Sequence, residues 1–328
     1  MIRIAVLDDY AGVALEVADW SVLQDRAEVV VFRQALSAPE EAAAALVEFD
    51  VVCCMRERMA IPAALLRRLP RLKLITITGL THRTLDVAAA TAQGILVCHT
   101  VLKGAGRNAT VELAWGLILS LARHLPAEAM AMRRGGWQTR VGSGLADRTL
   151  GLLGLGRLGR RMVPVARAFE MKVIAWSTNL TAEAAAAAGV ERVEREELFR
   201  RSDVLSLHLV LGERTRGIVG AADFALMKPT AWLVNTARGP LIEKGALLDA
   251  LRQRHIAGAA LDVYDVEPLP EEYPLRGLDT VILTPHLGYA VRETLGEFYA
   301  GTVENIHAWL DGAPLRVVNP EALPPPAA

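Results

Sequence analysis

Cysteine is scarce in this chain, with three among 328 residues. Cys53 and Cys54 are adjacent, and all three, with Cys98, lie in apolar strand-like runs. They read as small buried hydrophobes in a reducing cytoplasm, not as a disulfide framework. Spaced Cys and His ligands of the kind a metal site needs are missing too, so no metal is expected. Charge of one sign is lacking: 36 Lys and Arg oppose 37 Asp and Glu, for a formal net charge of −1. That excludes an electrostatic case for nucleic acid or a membrane surface as partner. No apolar run approaches the ~20 residues of a bilayer-crossing helix, and residues 113–122 make only about half of one. The sequence opens on a strand pattern at residues 2–7 without a signal-peptide layout, and a cytoplasmic protein is expected. The Pro/Ala-rich tail, 320–328, reads as a frayed end.

What is present is a long, half-apolar chain, enough for roughly two domains of about 100–200 residues each. In the first hundred residues, β-rich runs at 2–7, 28–32, 51–55, 74–78 and 95–98 alternate with helical patterns at 39–47, 62–69 and 85–92. This order predicts a parallel sheet with helices on both faces. A helix is expected over 107–123, where Leu113, Ala114, Leu117, Ile118 and Leu121 recur at helical spacing. A glycine-containing loop (Gly135-Gly136, then Gly142-Ser143-Gly144) follows it. Strand runs then recur at 149–153, 172–176, 204–209, 232–235, 258–262 and 281–284, again alternating with helices. The fold class read from this is α/β, with two doubly wound parallel-sheet domains. A last helix, 291–310, carries the stripe Val291, Leu295, Phe298, Thr302, Ile306 and Trp309, and is expected to pack back on the first domain.

Gly154-Leu155-Gly156-Arg157-Leu158-Gly159 follows the strand at 149–153 and opens a helix. Gly154 allows the tight turn, Gly156 lets backbone approach a pyrophosphate, and Gly159 lets helix and strand pack closely. The helix start, with Arg157 and Leu158, offers unpaired N–H groups to the anion. In this context the motif predicts a dinucleotide site, the bland alternative being a glycine-rich turn in an unliganded α/β domain. An NAD signature adds an acid about 20 residues on. Here the next strand ends in Ser177-Thr178-Asn179, with neither an acid nor an arginine, so NAD and NADP both remain open.

Three segments place polar groups just past strands, where open parallel sheets keep their active sites. In Asn235-Thr236-Ala237-Arg238-Gly239-Pro240, the arginine offers a planar fork to a carboxylate or carbonyl. In Leu261-Asp262-Val263-Tyr264-Asp265-Val266-Glu267-Pro268, a strand ends in acids. In Thr284-Pro285-His286-Leu287-Gly288, a histidine is held between Pro285 and Gly288. Each alone has an ordinary structural explanation. Together they suit hydride chemistry. An imidazole accepts the alcohol proton near neutrality, a carboxylate orients that imidazole and favours its charged form, and a cation polarises the carbonyl.

At these residues the chain resembles the D-isomer-specific 2-hydroxyacid dehydrogenase family, which includes D-3-phosphoglycerate dehydrogenases. The resemblance covers nearly the whole chain. It implies a Rossmann cofactor domain, 102–287, inserted into a flavodoxin-like substrate domain made of 1–101 and 288–328. It implies hydride transfer between NAD(P)H and C2 of a small 2-keto or 2-hydroxy acid. Arg238 would bind substrate, Glu267 would pair with the catalytic base, and His286 would be the acid/base. Asp262 would line the nicotinamide side, and Ala237, Ser177 and Thr178 would join the glycine loop in holding the cofactor. A homodimer formed through the cofactor domain is also implied. The chain departs from the family after its fourth strand, where Gly79-Leu80-Thr81 replaces a Gly-Val-Asp-like turn. Those backbone amides still suit a carboxylate, and Arg56 suits a distal substrate charge. Formate dehydrogenases, similar in fold, pair their histidine with glutamine, unlike Glu267. A dinucleotide-sensing binding protein, like the corepressors that resemble this family, is the alternative from another class.

Overall fold

The computed structural model describes residues 1–104 and 106–323. The chain divides into two compact units, one of Met1–Arg107 with Val291–Ala328 and one of Asn108–Ala290. The divisions fall after Arg107 and Ala290 instead of at 101 and 287. Lys103 and Gly104 go with the first unit, their N–H groups pointing at Glu297 Oε2 (2.8 and 3.4 Å). Ala105 and residues 324–328 of the Pro/Ala tail lie outside the described residues.

The first unit holds β1 (Ile2–Val6), β2 (Ala27–Val31), β3 (Val51–Cys54), β4 (Leu74–Ile77) and β5 (Leu96–His99) in the spatial order β2-β1-β3-β4-β5. All neighbours pair parallel, giving a flavodoxin-like order. Every residue of β3 and β4 is buried, as expected of strands covered on both faces. Helices α1 (Pro39–Leu46), α2 (Ala63–Leu66) and α3 (Val87–Ala92) connect them. Leu46, Leu66, Ile75 and Val97 meet in one core cluster. The three cysteines are buried and free. Burial pushes the Cys53 thiol up to about 12 and that of Cys98 to about 11, away from the reactive thiolate range.

The second unit contains β6 (Thr149–Leu153), β7 (Lys172–Trp176), β8 (Glu191–Arg192), β9 (Val204–Leu207), β10 (Trp232–Asn235), β11 (Gly258–Leu261) and β12 (Val281–Leu283). Their order is β12-β11-β10-β9-β6-β7-β8, all parallel. Renumbered from β6, this is the Rossmann order with a seventh strand, and it reverses between β6 and β9. Strand β8 was not expected from sequence: it is two exposed residues with no apolar run.

Helix α4 (Ala109–Arg123) buries Ala114, Leu117, Ile118 and Leu121 and packs on β10 and β11. His124 ends it in the left-handed conformation (φ 53°). The expected loop then begins later than predicted, because α5 (Leu125–Arg133) intervenes. That helix has no buried residue, so it carries no apolar stripe to betray it. Helix α6 (Arg157–Ala168) follows the glycine turn, and α7 (Ala182–Ala187), α8 (Arg195–Arg201), α9 (Ala221–Leu226) and α10 (Ala246–Arg252) complete the layers.

The last helix, α11 (Arg292–Leu310), packs on β4 and β5 of the first unit. Its buried face is wider than the predicted stripe and includes Thr294, Tyr299 and Asn305. Asn305 donates to the His99 carbonyl (3.0 Å) and accepts from Arg316 (2.8 Å), so its buried amide is satisfied. Beyond it, Asn319 accepts from the Val97 N–H (2.8 Å) and donates to Thr91 Oγ1 and the Ile95 carbonyl (both 2.9 Å). Among the described residues no helix is long and apolar enough to cross a membrane, and no His/Cys/Asp/Glu cluster suits a metal.

Candidate active site

In the second unit, the glycine turn sits where the strand order reverses, the place where open parallel sheets bind ligands. Gly154 has φ 106°, and a Cβ there would lie 2.9 Å from the His208 carbonyl carbon. A Cβ on Gly159 would lie 2.3 Å from the Gly154 oxygen. These two glycines are therefore required by the protein itself. Gly156 is not: nothing lies within 4 Å of its missing Cβ. An exposed glycine with open space before it, at the start of α6 where no side chain caps the helix, leaves N–H groups for a pyrophosphate. The residues present thus fit a dinucleotide. At the end of β7, Ser177 is half-buried and Thr178 exposed.

Sequence reasoning missed His208, which leaves β9 beside this turn. Its Nε2 is 2.9 Å from Ser206 Oγ, and burial pushes its pKa down to about 4, so the ring is neutral at physiological pH. Its position just past an apolar strand at the reversal was the available signal.

The exits of β10, β11 and β12 are neighbours in the sheet, and they carry Arg238, Glu267 and His286. Asn235, fully buried at the end of β10, explains the first motif. Its Oδ1 accepts from the Ala237 N–H (3.0 Å) and its Nδ2 donates to the Arg238 carbonyl (2.9 Å), clipping the backbone that presents the guanidinium. Arg238 Nη1 donates to the Ala237 carbonyl (2.7 Å). Gly239 lies so close to the Tyr264 main chain that a Cβ would be 2.1 Å from its carbonyl carbon. Only glycine lets the β10 exit pass this near the β11 exit.

His286 Nδ1 is 2.6 Å from Glu267 Oε2, with both side chains about one-fifth exposed. Glu267 Oε1 accepts from the Tyr264 N–H (2.9 Å). An ionised carboxylate only accepts, so Nδ1 carries the hydrogen and Nε2 is left as the other working nitrogen. His286 itself is in the left-handed region (φ 54°), uncommon for a non-glycine residue.

The Asp262 carboxylate, fully buried, holds that loop in place. Oδ1 accepts from Thr284 Oγ1 (2.6 Å) and the Leu287 N–H (2.7 Å), and Oδ2 accepts from the Gly288 N–H (2.8 Å). Burial raises its pKa, while Thr284 and the two amides pull it back. Thr110 at the start of α4 donates to the Gly288 carbonyl (2.6 Å). Tyr264 Oη lies 3.0 Å from the Leu261 carbonyl and 2.9 Å from that of Thr284, bridging the ends of β11 and β12. The sequence suggested only a nicotinamide contact for Asp262, and gave no sign of Thr110 or Tyr264.

In the first unit, Gly79 leaves β4 with φ 87°. Its own N–H donates to Thr100 Oγ1 (2.9 Å), so of the three expected amides this one is already committed. Leu80 and Thr81 are exposed. The Arg56 N–H donates to Thr78 Oγ1 (2.7 Å), and its guanidinium lies over Gly79, with Nη1 2.1 Å from where a Cβ would stand.

Residues 115–288 match the family model described as D-isomer specific 2-hydroxyacid dehydrogenase, NAD binding domain. The chain is 38% identical over 269 residues to the glyoxylate reductase of Aeropyrum pernix, covering 79% of this chain and 80% of that one. It is 38% identical over 255 residues to the D-3-phosphoglycerate dehydrogenase of Methanocaldococcus jannaschii, covering 77% of this chain but 48% of that relative, about half its length. Among solved structures it is similar to the phosphoglycerate oxidoreductase of Vibrio cholerae O395, with a TM-score of 0.90, 35% identity, and coverage of 95% and 100% of the two chains.

Proposed function

The chain belongs to the D-isomer specific 2-hydroxyacid dehydrogenase family, and we propose that it interconverts a small 2-keto acid and the D-2-hydroxy acid at C2. The nicotinamide, when bound, supplies or accepts the hydride. The second unit holds the dinucleotide: Gly154, Gly156 and Gly159, with the amides of Arg157 and Leu158, take the pyrophosphate. Ser177 and Thr178 face the adenosine ribose, and Ala237 and Asp262 border the nicotinamide. With neither an acid to repel a 2′-phosphate nor an arginine to hold one at the end of β7, NAD and NADP are both accommodated.

In reduction, His286 Nε2 donates a proton to the carbonyl oxygen as it becomes a hydroxyl, and in oxidation it takes that proton back. Glu267 fixes the tautomer and favours the imidazolium. Arg238 polarises the carbonyl and grips the carboxylate. The first unit serves as the substrate domain and offers the Leu80 and Thr81 amides, with Arg56 beside Gly79, to an anionic group. A homodimer formed through the second unit, in the cytoplasm, completes the proposal.

The observation that carries this reading is the 2.6 Å contact of His286 with Glu267 on strand exits adjoining that of Arg238. The test is consumption of NADH and NADPH with glyoxylate, pyruvate, hydroxypyruvate and phenylpyruvate, followed by chiral analysis of the product. Turnover to the D-hydroxy acid is expected. A folded chain that binds the dinucleotide yet reduces none of them would refute the proposal.

A further inference from the structure

The β12 exit turns sharply before His286. The His286 N–H donates across Pro285 to the Thr284 carbonyl (3.0 Å), closing a three-residue turn. His286 then stands in the left-handed region (φ 54°). Such a conformation costs free energy and persists only where the surroundings fix it. Asp262 and Tyr264 fix it here from either side. The Asp262 carboxylate holds the far side through the Leu287 and Gly288 N–H groups (2.7 and 2.8 Å). Tyr264 holds the near side. Its Oη lies 2.9 Å from the Thr284 carbonyl oxygen, the same atom that the His286 N–H uses.

Tyr264 reaches the histidine's partner through its main chain. Its N–H donates to Glu267 Oε1 (2.9 Å), while Glu267 Oε2 meets His286 Nδ1 (2.6 Å). One residue thus sets both the carboxylate and the turn that presents the ring. Its peptide also borders the β10 exit, where a Cβ on Gly239, next to Arg238, would lie 2.1 Å from the Tyr264 carbonyl carbon. The phenol ring is half-buried and packs against the cluster that contains Leu261 and Leu275. Burial, with Asp262 and Glu267 nearby, pushes the hydroxyl's pKa upward, so it keeps its proton and stays a donor. Of the charged groups around the His286 ring, Glu267 touches it and Asp262 acts on it at longer range, and the Tyr289 ring packs edge-on to it.

We propose that Tyr264 is a positioning residue for proton transfer: its hydroxyl, on the Thr284 carbonyl, sets the distance between Glu267 and His286 and takes no part in binding dinucleotide or substrate. This rests on the reading that His286 moves the proton. Without the hydroxyl, the Thr284 and Leu261 carbonyls lose the donor they share, and the β12 exit drifts from Glu267. A misplacement of about 1 Å costs a reaction roughly 100-fold, so a fraction of that drift costs about tenfold.

The test is Tyr264→Phe in the full chain, which keeps the ring and its packing. With the 2-keto acid that the unaltered protein reduces fastest, kcat is expected to fall about tenfold. KM and the dinucleotide dissociation constant, read by fluorescence titration, stay within about twofold. The pH–rate profile for reduction moves to lower pH, because the imidazolium sits less closely beside its anion. In a Glu267→Gln background the hydroxyl has no carboxylate left to align, and removing it moves the profile no further. Tyr273→Phe is the control, since the Tyr273 hydroxyl bonds Asp265 at the surface (3.1 Å) and its loss leaves kcat and the profile as they are. A kcat or a pH profile unmoved in Tyr264→Phe overturns the proposal. So does a weakening of binding that accounts for the whole loss, an equal loss in Tyr273→Phe, or an undiminished shift in the Glu267→Gln background. If no 2-keto acid is turned over, the functional reading fails separately, and NMR titration of the His286 ring, its signal identified by loss in His286→Ala, decides this one. A midpoint at lower pH in Tyr264→Phe than in the unaltered protein supports it, and coincident curves overturn it.

Discussion

His286 reaches back 19 residues to place Nδ1 2.6 Å from Glu267 Oε2, and the other oxygen of that carboxylate is held by the Tyr264 N–H. Glu267 is therefore fixed from the main chain on one side and fixes the imidazole on the other. Removing the ring in His286→Ala should lower kcat by at least about 100-fold while the dinucleotide still binds, because general acid/base catalysis is lost and the glycine turn is untouched. Stopped-flow turnover alongside cofactor fluorescence titration separates the two effects.

Glu267→Gln replaces an anion by a neutral group of the same shape. The imidazolium loses its charged neighbour, so the pH–rate profile for reduction should move to lower pH. An unchanged profile would show that the pair observed in the structure does not govern proton transfer.

Asp262→Asn puts an amide where three donors converge: Thr284 Oγ1, Leu287 N–H and Gly288 N–H. One carboxylate oxygen becomes an NH2 facing N–H or O–H groups, a loss of about 2–3 kcal/mol in a buried site. Urea denaturation should show that loss, and kcat should fall at least about tenfold as the His286 loop relaxes. Normal stability with normal kcat would mean the loop is held elsewhere.

Ser177→Asp supplies the acid that the end of β7 lacks. Catalytic efficiency with NADPH should fall at least about tenfold through repulsion of the 2′-phosphate, while that with NADH is kept or improved. Equal losses with both cofactors would take this position away from the ribose.

Burial lowers the pKa of His208 to about 4 and also lowers that of His82. In the unfolded chain both titrate near 6.5. As pH falls below that value the unfolded state binds protons that the native state does not. Stability should therefore be complete above about pH 7 and be lost on acidification toward pH 4, by up to about 1.4 kcal/mol per pH unit for His208, with His82 contributing in the same direction. Chemical denaturation across this range should show a flatter slope for His208→Gln than for the unaltered protein.

The sheets were legible because their strands are continuous apolar runs, such as Val51–Cys54 and Leu74–Ile77, bounded by turn residues. The glycine turn, Arg238, Glu267 and His286 were legible because each stands just past such a run. Strand β8 and helix α5 were not, since neither buries a side chain and periodicity records only burial. Nor could the sequence tell that the Gly79 amide is already bonded to Thr100, or that Asp262 and Thr110 hold opposite faces of the Gly288 peptide. Those contacts join residues far apart in sequence, and their residue types have many other uses.

Asn319 ties the edge of β5 and the end of α3 to a segment more than two hundred residues downstream. During synthesis the second unit, being continuous, has all its strands available once residue 290 is made. The first five strands must wait for α11 and Asn319 to emerge before their sheet is covered. In the interval, the earlier-made half still lacks the helix that packs on β4 and β5 and keeps that apolar surface exposed.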